Sequence, residues 1–174
     1  MHEGADDLQR LQDLLDASYE AAGGHLREVI TPERRIGARA LADRLQGVCL
    51  LVLATVTRDG RPISGAVDGI FYRGQFYFGS SPDSVRFRHL RARPSVSATH
   101  LPGEELAVTV HGEAREVGVA DPEFAGFRRA LLEVYTPRYG AEWENFLDSG
   151  SAYARIDARR MYTFWMPVDG GDEP

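Results

Sequence analysis

Hydrophobic residues recur at two different spacings along the chain, and the change from one to the other separates helices from strands. In the first part the spacing is three or four residues, which predicts an amphipathic helix over residues 5–22. Its apolar positions are Leu8, Leu11, Leu15 and Tyr19. A second helix is expected to start with Thr31 as N-cap and Pro32 at the first helical position, and to end before Gly47.

From residue 48 onward the apolar residues alternate or form short β-branched runs, a pattern that predicts strands. The strands are expected over residues 48–57, 62–72, 75–79, 94–101, 106–117 and 152–166. The first three follow one another through tight turns, of which Asp59-Gly60 is a strong hairpin signal. Closing such strands into a barrel removes exposed edges. We therefore predict a mainly β protein, a six-stranded antiparallel β-barrel of Greek-key-like order with flanking α-helices.

Three further helices are expected between the strands. One follows Asp83 as N-cap and stops before Pro94, one begins at Asp121 and ends at Thr136-Pro137, and a short one covers residues 141–147. This order divides the chain into an N-terminal helix and linker (1–30), a barrel domain (31–168) and an acidic tail expected to be disordered (169–174).

Composition narrows the chemistry. The chain has 174 residues and a formal net charge of −6, so its overall charge gives no attraction to nucleic acid or to an anionic membrane. All 20 basic residues are arginine, which rules out a lysine Schiff base and a lysine-containing phosphate loop. The only cysteine, Cys49, lies in an apolar run and is expected to be a buried thiol. The absence of a signal sequence and of a long apolar run indicates a cytoplasmic protein.

The segment FGSSPDSVRFRHL, residues 78–90, has an unusual charge pattern. With Asp83 as N-cap, Arg86 falls in the first turn of a helix, where the partial positive charge disfavours a cation unless an anion is nearby. Serine hydroxyls and free backbone N–H groups would converge there with the guanidinium, as they do in phosphate sites. The serines are Ser80, Ser81 and Ser84. The alternative is an ordinary capped helix whose arginines are solvated.

The order of motifs around this segment resembles that of the flavin-binding split-barrel family typified by pyridoxamine 5'-phosphate oxidase. The matching motifs are Ala54-Thr55-Val56, Asp59-Gly60-Arg61-Pro62, Phe76-Tyr77-Phe78 with Gly79-Ser80-Ser81, Ser84-Val85-Arg86, Pro94 and Val110-His111-Gly112-Glu113-Ala114. The likeness is clearest over residues 41–117. It implies a split β-barrel that forms a homodimer, with the cofactor at the interface between the two subunits.

The resemblance also implies roles for particular residues. Phosphate binding is carried over to Ser80, Ser81, Ser84 and Arg86. Many relatives have lysine at the position of this arginine. Contact with the isoalloxazine ring and the ribityl chain is carried over to Arg61, Ile63 and Ser64. His89, three residues further along the helix than the arginine, is either an additional phosphate contact or a surface histidine.

The cofactors implied by the family are flavin mononucleotide (FMN) and, in a second branch, the deazaflavin coenzyme F-420. Either supports hydride transfer to or from a small organic substrate, so we predict a flavin- or deazaflavin-dependent oxidoreductase. The alternative is a non-catalytic split-barrel protein that holds flavin or haem for storage or sensing. A true pyridoxamine-phosphate oxidase is disfavoured, because the chain ends in the acidic sequence FWMPVDGGDEP instead of basic residues.

Three other polar residues lie within predicted strands. His100 and His111 are expected to be neighbours across the fourth and fifth strands, but no third ligand at metal spacing accompanies them, so we predict no metal site. Asp68 lies between apolar residues of the second strand and is expected to point to solvent instead of lining a pocket. No residue is assigned as a catalytic acid or base.

Overall fold

The computed structural model describes residues 1–166, and its framework is a β-barrel. The strands are β1 (Val48–Val56), β2 (Pro62–Tyr72), β3 (Gln75–Ser80), β4 (Ser95–His100), β5 (Leu106–Val117) and β6 (Ala152–Trp165). The α-helices that flank it are α1 (Ala5–Glu20), α2 (Gly24–Val29), α3 (Ala38–Arg44), α4 (Val85–Ala92), α5 (Ala125–Tyr139) and α6 (Trp143–Asp148). The predicted acidic tail, residues 169–174, lies outside the described residues.

The strands close in the order β1-β2-β3-β6-β5-β4, and every neighbouring pair is antiparallel. Tight turns join β1 to β2 and β2 to β3. Gly60 and Gly74 lie in these turns with positive φ values of 84° and 80°, a backbone conformation that glycine adopts without steric cost. The structure confirms the predicted mainly β class, the six-stranded antiparallel barrel and its flanking helices.

Strand β1 shows how the sequence pattern builds the core. Cys49, Leu51 and Leu53 face the interior and are buried, whereas Leu50 and Val52 between them point outward and are 60% and 53% exposed. Burial raises the pKa of the Cys49 thiol to about 11, so the thiol stays protonated and unreactive near neutral pH. The expectation of a buried core thiol is confirmed.

Helix α1 covers a strand edge that the barrel leaves open. β6 pairs with β5 over most of its length, but with β3 only through Ala152–Arg155. Beyond that point, Ser18 Oγ accepts a hydrogen bond from the backbone N–H of Met161 (2.9 Å), and the Tyr19 hydroxyl accepts one from that of Thr163 (2.9 Å). Because buried N–H groups need partners, α1 completes the barrel. The division of the chain at residue 30 stays a prediction.

The predicted helix starting at Thr31 is wrong in its first half. The structure has a 3-10 turn at Pro32–Arg34, an extended stretch, and then α3, whose N-cap is Gly37. The extended stretch is held by Ile36, whose backbone N–H donates to Oγ1 of Thr163 (3.3 Å) and whose side chain is buried. This tertiary contact overrides the local helical spacing.

Helix α5 differs from the prediction at both ends. Asp121 precedes a 3-10 turn instead of the α-helix itself, and the helix continues through Pro137 to Tyr139. The ring of Tyr135 stacks on that of Trp143 in α6, with centroids 4.6 Å apart. Proline usually terminates a helix, but α5 continues past Pro137. Its last turns pack against α6 through aromatic rings.

Candidate cofactor site and a neighbouring cavity

Helix α4 begins one residue later than predicted. Ser84 is the N-cap, since its backbone is extended (φ −61°, ψ 150°) and its Oγ accepts a hydrogen bond from the N–H of Phe87 (3.3 Å). The prediction of Asp83 as N-cap is wrong. The N–H of Ser84 donates to the carbonyl of Ser81 (3.0 Å), and this turn places Ser84 at the entrance of the helix. Arg86 is therefore the second residue of α4.

The side chain of Arg86 lies across strand β2. Its Nη2 donates to the carbonyl of Ala66 (3.3 Å), and a Cβ atom on Gly65 would lie only 3.2 Å from that nitrogen. Partial burial lowers the pKa of the guanidinium. No carboxylate among residues 1–166 lies within 4.0 Å of it. Gly65 therefore leaves room for the guanidinium of Arg86, whose hydrogen-bond partner among the described residues is the neutral carbonyl of Ala66.

The other arginines of the segment have partners that explain them. Arg91 forms two hydrogen bonds with Glu116 (2.7 and 3.0 Å). Arg88 donates to a carbonyl of the preceding loop (2.7 Å), and Arg93 donates to a carbonyl of β1 (2.9 Å). Arg86, Arg88 and Arg93 all lack an acidic partner in the described residues, but of the four arginines only Arg86 lines a cavity.

A small cavity of about 180 Å³ lies between α4 and the adjoining ends of β1 and β2. It is lined by Leu53, Thr55, Ile63, Ser64, Gly65, Ser84, Val85 and Arg86. Four of the residues predicted to bind a cofactor, two for the phosphate and two for the ring, therefore meet at one place. They are Ser84, Arg86, Ile63 and Ser64.

His89 adjoins this cavity through Thr55. Its Nδ1 and the Oγ1 of Thr55 share a hydrogen bond of 3.0 Å, and Thr55 lines the cavity. The histidine is half-buried, so it is not a freely solvated surface residue. Its contact with the phosphate stays a prediction.

Arg61 lines neither this cavity nor a larger one that lies between the barrel and helices α5 and α6. It is in the turn between β1 and β2, where its Nε donates to Oδ2 of Asp59 (2.8 Å). Hydrogen bonds from the Thr57 hydroxyl, which has the larger effect, and from Arg61 lower the pKa of the Asp59 carboxylate below its usual range. The contact of Arg61 with the ring stays a prediction.

Ser80 and Ser81 border a second, larger cavity of about 770 Å³. It lies between the ends of β2 and β3 and the helices α5 and α6, and Asp68 also lines it. Asp68 is exposed, as expected, but it also lines this cavity, which was the disfavoured alternative. The predicted phosphate residues are thus divided between two neighbouring cavities.

The carboxylate of Asp68 affects two tyrosines of the large cavity. Burial, and after it Asp68, raises the pKa of Tyr153 to about 12. The same two causes raise the pKa of Tyr135, whose hydroxyl lies 3.5 Å from Oδ2 of Asp68. Both phenols are therefore neutral near pH 7. The aromatic residues of this cavity were missed because their spacing along α5 and α6 also fits a buried helix face.

The two strand histidines form separate hydrogen bonds. His100 Nδ1 lies 2.9 Å from the carbonyl oxygen of Leu50, and His111 Nδ1 lies 2.7 Å from Oγ of Ser97. Over residues 1–166 no group of three or more histidine, cysteine or acidic side chains could hold a metal ion. In the same range no helix has both the length and the apolar character needed to cross a bilayer.

The outer face of β1 carries exposed apolar side chains. Leu50, Val52 and Leu101 are each more than half exposed (60%, 53% and 62%). Val52 pairs with Ala66 of β2 on one side and with Thr99 of β4 on the other, and Leu50 pairs with Asp68, so polar side chains border this apolar strip. Exposed apolar patches of this kind are typical of interaction surfaces.

A closed six-stranded antiparallel barrel with a capped helix between β3 and β4 defines the class of split-barrel proteins. Comparison of the sequence with known families places it within that class. The model of the family described as pyridoxamine 5'-phosphate oxidase matches residues 38–163, and the chain belongs to this family. The resemblance noted in the sequence is thereby confirmed, while the deazaflavin branch stays a prediction.

Solved structures have the same fold. The conserved hypothetical protein Rv2991 from Mycobacterium tuberculosis is 24% identical, with a TM-score of 0.62 over 82% of this chain and 98% of its own. HutZ, a haem storage protein from Vibrio cholerae, is 18% identical (TM-score 0.55; 73% and 90%). A haem-binding protein from Mycobacterium smegmatis is 23% identical (TM-score 0.55; 69% and 49%). No curated protein matches the chain.

Proposed function

We propose that this protein binds a phosphorylated flavin-type cofactor, FMN or coenzyme F-420, and transfers hydride to or from a small organic substrate. The observation that carries the proposal is Arg86, a partly buried guanidinium whose hydrogen bond in the described residues goes to the neutral carbonyl of Ala66. Burying a cation costs free energy unless an anion pairs with it. A phosphate in the adjoining cavity would supply that pairing.

The start of α4 offers further donors to the same anion. The first N–H groups of a helix have no partner within the helix, and Ser84 Oγ takes only that of Phe87. The N–H groups of Val85 and Arg86 are next to the cavity, and the Ser84 hydroxyl can still donate its own proton. In this proposal Ser80 and Ser81 add hydroxyls from the loop before the helix.

The remaining residues of the small cavity suit the rest of the cofactor. Ile63 is 47% exposed and offers an apolar surface to a ring, and Ser64 next to it offers a hydroxyl. The bound cofactor would supply the hydride chemistry. This chain would bind the phosphate, orient the ring against β2 and keep water from one of its faces.

The size of the small cavity indicates that one subunit does not enclose the whole cofactor. Its volume is about 180 Å³, whereas sites for ligands of this class measure about 300–1,000 Å³. The exposed apolar face formed by Leu50, Val52 and Leu101 provides a surface for a second copy of the chain. We therefore propose a cytoplasmic homodimer whose second subunit completes the site.

The deciding experiment is the absorption spectrum and mass of whatever copurifies, followed by titration of cofactor-free protein with FMN and with F-420. We expect one of them to bind with a micromolar or lower Kd and to be reduced or reoxidised in the presence of a substrate. Failure to bind both would contradict the proposal.

A second candidate is non-catalytic storage or sensing of flavin or haem. Two of the structural relatives are described as haem proteins, which favours testing it. A Soret band in the purified protein, or tight flavin binding without turnover over a panel of acceptors and donors, would support this candidate over the oxidoreductase.

A further inference from the structure

The large cavity is separate from the small one, and the residues of its walls indicate which class of ligand it binds. It measures about 770 Å³ and lies between the sheet formed by β2 and β3 and the two helices α5 and α6. This volume falls within the range of about 300–1,000 Å³ found for small-molecule sites. A cavity of this size needs a ligand that matches both its shape and its charge.

The helix side of the cavity is lined with aromatic rings. Trp143 stacks on Tyr135 at 4.6 Å with an interplanar angle of 15°, and Tyr139 is also stacked with Tyr135, at 6.1 Å with an angle of 20°. Tyr153 of β6 adds a ring from the sheet. Flat aromatic walls favour a flat ligand, and a ring face that is open to the cavity attracts a cation.

The charged residues of the lining are all acidic. Asp68 enters from β2 and Glu142 from the start of α6, and no arginine or histidine lines the cavity in the described part of the chain. Oδ2 of Asp68 lies 3.5 Å from the hydroxyl oxygen of Tyr135. The carboxylates and the ring faces therefore act in the same direction, attracting positive charge and disfavouring phosphate or carboxylate ligands.

From these walls we propose that the large cavity binds a planar aromatic cation, such as a quaternary or protonated heteroaromatic amine. Binding stands on the cavity alone, whereas its role as the substrate site rests on the proposed oxidoreductase function. Asp68 lies four residues after Ser64 on the same face of β2, roughly 13 Å along the strand. A ligand in the large cavity would thus lie on the same face of β2 as a cofactor ring held near Ser64.

Calorimetric titration of the cofactor-free protein with the 1-methylquinolinium cation tests the proposal, and 1-naphthoate serves as an anion with a similar ring system. We expect saturable binding of the cation with a submillimolar Kd, and binding of the anion at least tenfold weaker. Asp68→Asn and Glu142→Gln should each weaken cation binding about 5- to 20-fold, an effect of one charge at short range. Asp13→Asn, an exposed acid of α1, is the matched control and should change nothing.

Tryptophan fluorescence locates the bound cation. Trp143 lines the cavity, whereas Trp165 lies under the guanidinium of Arg44, 4.3 Å from ring centroid to Cζ. Quenching that saturates at the calorimetric Kd should persist in Trp165→Phe and disappear in Trp143→Phe. Quenching that depends on Trp165 would overturn the placement.

The outcomes separate this inference from the proposed function. Arg86→Ala should weaken cofactor binding and leave the Kd for 1-methylquinolinium unchanged. A wild-type protein that binds FMN or F-420 but not the cation, or that binds 1-naphthoate equally well, overturns the inference and leaves the proposed function standing. Binding of the cation by a protein that takes neither cofactor supports the site and contradicts only its role as a substrate site.

Discussion

The two cavities adjoin one loop but have opposite chemistry. The segment from Gly79 to Pro82 borders the large cavity, and the segment from Ser84 to Arg86 borders the small one. The small cavity holds one arginine and no acid, while the large one holds two acids and no arginine among the described residues. The net charge of −6 therefore says little about either, because placement of a few side chains decides local charge.

The two cavities also differ in whether one chain is large enough to enclose the proposed ligand. The large cavity is built within one subunit, by β2, β3, β6 and the α5–α6 pair. Both cavities are open toward the surface, but only the small one is smaller than the ligand we propose for it. We infer that the large cavity works in a single chain and that the small one needs a partner.

The largest effect is expected from a charge on the apolar face of β1. Val52→Glu places a carboxylate at a residue that is 53% exposed and at the centre of the proposed dimer surface. Burying that charge would cost several kcal/mol, so we expect monomers by analytical ultracentrifugation and cofactor binding weakened more than 100-fold. Binding of the aromatic cation in the large cavity should persist.

The control is Val29→Glu, which adds the same charge at another exposed valine on α2. It should leave both the oligomeric state and the cofactor affinity unchanged. A Val52→Glu protein that remains dimeric, or that is monomeric and binds the cofactor normally, would contradict the shared site.

The next largest effect is expected from Arg86→Ala. A hydrogen bond to a charged group contributes about 1.5–3 kcal/mol, so removal of the guanidinium should weaken binding of FMN or F-420 about 10- to 150-fold. Fluorescence titration measures the change. Arg88→Ala is the matched control, since Arg88 lies on the same helix and donates to a loop carbonyl (2.7 Å). Equal effects of the two variants would assign Arg86 to the solvated helix surface.

The sequence predicts the small cavity better than the large one, and the reason is physical. Ser84 and Arg86 stand out in the sequence by hydroxyl chemistry and by a cation in the first turn of a helix. The family resemblance adds Ile63 and Ser64, which follow the Asp59-Gly60 turn, and all four meet at one cavity. The large cavity depends on how α5 and α6 pack, and this packing carries α5 past Pro137. No local pattern shows which side of Trp143 or Tyr135 faces a cavity.

A similar limit explains the errors at the boundaries of helices. The spacing of Ile36 fits a helix, but its N–H donates to Thr163, more than a hundred residues away in the sequence. Asp83 and Ser84 are both good capping residues, and the turn closed by the carbonyl of Ser81 selects the serine. In both cases contacts that the sequence does not display decide between locally equivalent choices.

A smaller effect is expected from Gly65→Ala. The added Cβ atom would lie 3.2 Å from Nη2 of Arg86, which is tighter than most such contacts, so the guanidinium must shift by a few tenths of an ångström. We expect cofactor binding to weaken about 3- to 10-fold, less than in Arg86→Ala, because the charge remains. Gly24→Ala, at a glycine with open space around it, is the control. Unchanged affinity would show that Arg86 does not need its present position.

The smallest effect concerns pH. The pKa of Tyr153 is raised to about 12 by burial and then by Asp68, above the ordinary tyrosine value near 10. The folded protein therefore holds this proton more tightly than the unfolded chain. This contribution to stability is complete below about pH 10 and is lost as the pH rises toward 12, with a slope of at most about 1.4 kcal/mol per pH unit. Tyr153→Phe should flatten the fall in the free energy of unfolding over that window, as measured by urea denaturation. Cys49→Ala is the comparison, because the raised pKa of that thiol, about 11, acts over a lower pH window.

In Asp68→Asn the spectrophotometric titration of tyrosine should move to lower pH, because a negative charge near the phenols is removed. An unchanged titration would remove Asp68 as a source of negative potential in the large cavity.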